Sequence, residues 1–250
     1  GHPKKRKIIT RINAYHGVTL GASSMTGKTY NKEFGMPLND FIHADCPHYW
    51  KFGIKNENEE DFSKRMGKNL EDLIIKEVPE TIAGFVAEPV QGAGGVIPPS
   101  KGYFDVIQPI LKKYKIPFVF DEVITGFRFA VGGAQELTGV TPDLTALAKG
   151  ISNGIPLSAI VGKKDYMFAL EKTFFSFTYG GECLGLAAAK TCIPKIRDKN
   201  VPAHLDEIGT VLKNGFNQLS ELYSLAEIVE CIGYPCRSII AIDGQGKFET

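Results

Sequence analysis

The chain has 250 residues, is 43% hydrophobic and 23% charged, and carries a formal net charge of +1. That balance suits a globular protein with a sizeable core and leaves no global field for nucleic acid or an acidic membrane. No apolar run approaches the ~18 residues of a membrane span, and residues 1–12 lack the pattern of a signal peptide.

In chain order, Lys7–Arg11 reads as a short strand, entered through the solvated run Lys4-Lys5-Arg6-Lys7. Residues 39–54 read as a loop rich in Asp, Pro and His. Residues 57–78 predict an amphipathic helix, with Phe62, Met66, Leu70, Leu73 and Ile74 at helical spacing. Residues 81–87 predict a strand that runs into Glu88. Residues 100–114 predict a second helix, capped by Ser100 and striped with Phe104, Ile107, Ile110 and Leu111. Residues 116–120 predict a buried strand that stops at Asp121.

Further strands are expected at 158–161 and 175–178. A helix over 184–193 should end or kink at Pro194. Residues 203–225 predict a longer helix, and 227–243 begin something strand-like. Strand, helix and strand alternate, so the expected fold is α/β: a three-layer, mostly parallel sheet with helices on both faces. Residues 1–202 form the large domain in this reading, and residues 203–250 open a small α+β domain. The chain lacks an initiator Met, which fits a fragment of a longer protein.

The cysteines Cys46, Cys183, Cys192, Cys231 and Cys236 are odd in number and scattered. They suit reduced thiols in a cytoplasmic enzyme better than a disulfide framework. "GASSMTGKT" imitates a phosphate loop but has one residue too many before Gly27-Lys28. "QGAGGVIPP" lacks a full dinucleotide fingerprint, and its prolines block the helix that should follow. "HADCPH" gathers His43, Asp45, Cys46 and His48, but its proline-containing loop favours the rim of a cleft over a metal site.

Ligands of open α/β sheets sit beyond the carboxyl ends of the strands, where Glu88 and Asp121 are expected. Asp121 could equally cap a turn. Lys149 lies in "PDLTALAKGISNG", next to Leu144, Ala146, Leu147 and Ala148 and beside Gly150. A lysine desolvated there would be a nucleophilic amine; an ordinary exposed lysine at a turn is the alternative. An acid at one strand end and a lysine in such a loop fit pyridoxal phosphate, which needs an amine for its aldehyde and an acid for its ring nitrogen.

"AEPVQGAGGVIPP", "VFDEVITGFR", "GVTPDLTALAKGISNGIPLSA" and "FTYGGECLGLAAA" together resemble the class III aminotransferases of pyridoxal phosphate fold type I. "AYHGVT" and "DCPHYWKFG" are similar to the omega-amino-acid and amine:pyruvate branch. "GFRFAVGGAQELTGVTPDLT" is similar to the glutamate-1-semialdehyde aminomutase branch.

The resemblance implies that Lys149 carries the cofactor as an internal aldimine and that Asp121 pairs with the pyridinium nitrogen. Val123 would pack on the far face of the ring. Tyr15 would stack on the near face, with Gly17 leaving room, and Glu88 would lie beneath the site. Thr178 would reach the phosphate of a neighbouring subunit's cofactor, so the active sites would be shared in a homodimer. The expected activity is amino-group transfer from a small amine donor to a carbonyl acceptor, with an aminomutase or an incomplete fragment as the alternatives. The family's phosphate loop is expected before Gly1, and "GECLG" departs from the commoner "GNPLG" at the start of the following helix.

Overall fold

The computed structural model describes residues 2–242 of the chain. The elements are β1 (Lys7–Arg11), α1 (Leu20–Met25), β2 (Phe41–Ala44), α2 (Tyr49–Phe52), α3 (Glu59–Lys76), β3 (Ile82–Ala87), α4 (Tyr103–Lys113) and β4 (Phe118–Asp121). They continue with α5 (Ala134–Thr138), β5 (Leu144–Leu147), β6 (Ala159–Gly162), α6 (Lys164–Met167), α7 (Cys183–Asp198), α8 (Val201–Leu222), β7 (Val229–Tyr234) and β8 (Arg237–Ile242). A six-stranded sheet has the order β2-β1-β3-β4-β5-β6, and β7-β8 is a separate hairpin. The first five strands are parallel; β6 runs antiparallel to β5.

The helix over α3 starts where Asn58 accepts a hydrogen bond from the Asp61 N–H, and three acids fill its first turn. Both features favour a helix N-terminus. Its stripe of Phe62, Met66, Leu70 and Ile74 is buried, as are Phe104, Ile107 and Leu111 of α4. Gly67 allows the two helices to approach, because a Cβ there would meet Val106 at 2.2 Å. Together they cover the face of the sheet that presents Phe85, Phe118 and Phe120. Full burial of each large apolar side chain contributes about 1.5–3 kcal/mol, so this layer is the main stabilising core.

Several expectations change. Ser100 does not cap α4: Gly102, at φ 76°, occupies that position, and the Ser100 hydroxyl pairs with Ser63 at 2.7 Å inside the core. The region read as a loop contains edge strand β2 and the short α2. Residues 175–178 form no strand; they are exposed coil entering a turn. Pro194 does not end its helix, because α7 runs on to Asp198. A proline removes only its own N–H donor, and the helix continues with the remaining bonds. The strand-like segment after 227 is the β7-β8 hairpin; Asp243 lies outside the described residues.

Candidate active site

Alternation along β4 explains why an apolar strand ends in an acid. Phe118 and Phe120 point into the helix-covered core, while Val119 and Asp121 lie on the other face and are half-buried. Registered neighbours in a parallel sheet share a face, so Asp121 lies beside Ala146 of β5. Lys149 follows three residues later, in the turn that leaves β5. The carboxylate therefore lies at the carboxyl end of β4, and the amine follows just beyond the carboxyl end of the neighbouring β5.

Asp121 is held at both oxygens. Its Oδ1 accepts the Val123 N–H at 3.0 Å. Its Oδ2 lies 2.7 Å from His16 Nδ1. The His16 side chain is only 1% exposed, against 13% for Asp121. His16 Nε2 is buried without a partner, so the ring serves Asp121 as an Nδ1–H donor. Asp121 thus caps the turn after β4 with one oxygen, as the turn reading expected, and commits the other to a histidine 105 residues away.

The loop that carries His16 leaves β1, and Glu88 braces it. Glu88 accepts the Tyr15 N–H at 2.9 Å and the Gly92 N–H at 2.7 Å, one on each oxygen. It therefore ties the loops after β1 and β3, the two strands between which the strand order reverses. Such a reversal opens the crevice where α/β sheets bind ligands. Burial raises the Glu88 carboxyl above its usual range, and the two backbone N–H bonds only partly offset this. The guanidinium of Arg11 donates to the Glu88 carbonyl. Tyr15 and Gly17 are half-buried in the same loop, and Gly17 takes φ 123°. Val123 is half-buried directly after β4.

Lys149 differs from expectation in one respect. Its apolar neighbours are spent on the alternating faces of β5, and Lys149 itself is exposed. It opens a short 3-10 turn, Lys149–Ile151. Its φ of 47° is left-handed for a side chain with a Cβ, which costs about 1–2 kcal/mol. Strain of this kind is retained where the position of a side chain matters. Lys149 lines a cavity of about 590 Å³ with Ile124 and Phe127. Thr178 is exposed in a turn and meets none of the other candidates.

Two features escaped the sequence reading. His16 stands inside the quoted "YHG", but only the fold brings it to Asp121. Glu122 is fully buried and accepts four hydrogen bonds: from Thr125 Oγ1, the Ala134 and Gln135 N–H groups and Gln135 Nε2, at 2.6–3.3 Å. It closes the loop from β4 to α5. Gly133, at φ 73°, is required there because a Cβ would lie 2.5 Å from a Glu122 oxygen. Glu182 resolves the altered "GECLG": its carboxylate caps α7 by accepting the Leu184 and Gly185 N–H groups.

The residues of "HADCPH" diverge. His43 faces the Met25 carbonyl, Asp45 accepts from Asn69, Cys46 bonds Gln91, and His48 is buried alone. Burial pushes the Cys46 thiol up to about 11 and lowers His43 and His48. Among the described residues, no helix is long and apolar enough to cross a membrane.

The family described as aminotransferase class-III matches residues 1–240. A rice protein (Oryza sativa subsp. indica) named probable gamma-aminobutyrate transaminase 2, mitochondrial, is 43% identical over 225 residues, covering 86% of this chain and 45% of that protein. The chain thus spans about half the length of the curated relatives it matches. An omega-aminotransferase from Paracoccus denitrificans superposes with a TM-score of 0.88 at 38% identity, over 99% of this chain and 56% of that one. The pyridoxamine phosphate (PMP)-bound form of an aminotransferase from Vibrio fluvialis gives a TM-score of 0.87 at 39% identity, over 100% and 57%. The mixed, mostly parallel sheet is accordingly that of the large domain of pyridoxal phosphate fold type I, and the chain belongs to the class III aminotransferases.

Proposed function

We propose that the protein carrying this chain transfers an amino group between an amine or amino acid and a keto acid or aldehyde, with pyridoxal phosphate. The observation that supports this most strongly is the placement of Asp121 and Lys149 at the ends of adjacent strands, with His16 holding Asp121. The donor set fits the cofactor: an amine for its aldehyde carbon and an anionic oxygen for its ring nitrogen. Tyr15 and Val123 would hold the two ring faces, Gly17 would leave the ring room, and Glu88 would hold the Tyr15 loop from beneath.

When bound, the cofactor supplies an electron sink. Lys149 Nζ takes the proton from the substrate carbon that bears the nitrogen and later returns one. A positioned proton carrier of this kind is typically worth ~10²–10⁴-fold. Asp121 would offer its carboxylate to the ring nitrogen, and the His16 Nδ1–H would keep that carboxylate from turning away.

The same reading includes a homodimer with shared sites, in which Thr178 serves the partner's cofactor phosphate. Its support is the exposed apolar run around Thr178: Phe174 is 95% and Tyr179 77% exposed. Such a run fits contact with a second copy. Residues 1–202 would form the cofactor domain and 203–250 the opening of a second one, in line with the separate β7-β8 hairpin. Five free cysteines support a reducing compartment, and the cytoplasm is the location we propose.

The test is Asp121→Asn in the full-length protein. An amide keeps the shape and loses the charge. Turnover over a panel of amines should fall ~100-fold or more with the melting temperature preserved. Near-wild-type rates would return Asp121 to a structural role.

A further inference from the structure

The cavity behind Lys149 has an unusual charge balance. Lys149, Arg128 and Arg237 all line it, and no acid does. Among the described residues, the Arg237 side chain makes no hydrogen bond or ion pair, and its Nε is buried without a partner. Arg128 spends only its Nε, on the Cys236 carbonyl at 2.8 Å; its terminal nitrogens remain for a ligand. Arg237 also lines a neighbouring cavity with Lys28 and the Gly92–Gly95 backbone, and no acid lies there either. Arg128 and Arg237 are half-buried and Lys149 is exposed; guanidinium groups partly withdrawn from water favour a charged partner, and three cations bordering one space of about 590 Å³ form a site for an anion. Ile124, Phe127, Ile196, Val201 and Leu205 supply apolar wall, and Asn153 is the one uncharged polar side chain among the lining residues.

We propose that this cavity is a binding site for a small aliphatic dicarboxylate. Two carboxylates match the two guanidinium groups and the ammonium. The carbon chain matches the apolar walls, which inorganic phosphate would leave unfilled. Arginine is suited to the role because its planar fork takes a carboxylate through two parallel bonds. A dicarboxylate seated there pairs with the Lys149 ammonium and competes with reaction of that amine. The site therefore restrains Lys149. This effect on chemistry rests on the role proposed for Lys149; the binding itself does not.

The experiment is a calorimetric titration of the protein with succinate at low ionic strength, beside succinamide and inorganic phosphate. Succinate should bind saturably at one site per chain, phosphate at least tenfold more weakly, and succinamide not at all. Arg237→Gln should weaken succinate at least tenfold and Arg237→Lys less, with unchanged melting temperatures; the Arg237 side chain makes no bond whose loss would unfold the hairpin. In a second measurement, succinate should slow borohydride-dependent labelling of Lys149 by pyridoxal phosphate in the parent and not in Arg237→Gln.

Equal binding by parent and Arg237→Gln, or phosphate as tight as succinate, would overturn the proposal. Succinate binding with no labelling of Lys149 would instead count against the role of Lys149, and labelling without succinate binding would count against this site alone.

Discussion

Replacing His16 tests how the site is held together. The His16 Nδ1 to Asp121 Oδ2 distance of 2.7 Å is that of a charge-assisted bond, and the imidazole is almost entirely buried. A hydrogen bond to a charged group contributes about 1.5–3 kcal/mol. Leucine is close to histidine in size, so His16→Leu removes the donor with little cavity. Asp121 then keeps only the Val123 N–H and can rotate away from the ring nitrogen.

Converted at 1.4 kcal/mol per tenfold, the loss predicts ~10- to 150-fold weaker cofactor binding, read from visible absorbance during titration. His16→Asn places an amide donor near the Nδ1 position and should recover part of that affinity. Turnover should fall in the same order, and its pH profile should shift in the leucine variant. Unchanged affinity and an unchanged profile in His16→Leu would refute the claim that this bond positions Asp121.

Two further substitutions follow from the buried acids. Glu122→Ala strands several buried donors, including the Ala134 N–H; at ~1–3 kcal/mol for each buried group left unpaired it should cost ~3 kcal/mol or more in urea unfolding, with Glu122→Gln nearer the parent. A loss below ~1 kcal/mol would show that the β4–α5 loop does not depend on Glu122. Glu88 titrates above its ordinary value of 4.5 because it is buried. Its contribution to stability is therefore complete below that value and is lost as pH rises through the raised folded value. Glu88→Gln carries no such titration, so the stability of the parent relative to this variant should decline with rising pH over that window. A flat or rising difference in paired unfolding curves would contradict the direction.

How much of this could be read without coordinates depends on the range of each interaction. β1 was placed to the residue, and α3 and β3 within two, because alternation and helical spacing are local signals. Asp121 and Lys149 were marked by their position after strands, which is also local. The His16–Asp121 bond spans 105 residues, and nothing near His16 announces it. Glu122 looks like any acid in a loop until the chain returns at Ala134 to supply donors. Residues 175–178 resemble a strand in composition, yet among the described residues they join no sheet and lie exposed.

The central claim is that Lys149 is the amine that bonds the cofactor. The most direct measurement is to incubate the full-length protein with pyridoxal phosphate, reduce it with borohydride, digest it and map the modified lysine by mass spectrometry. The account predicts stoichiometric label at Lys149, abolished in Lys149→Ala while the melting temperature of the apoprotein is kept. Label at another lysine, or label that persists in Lys149→Ala, would contradict it.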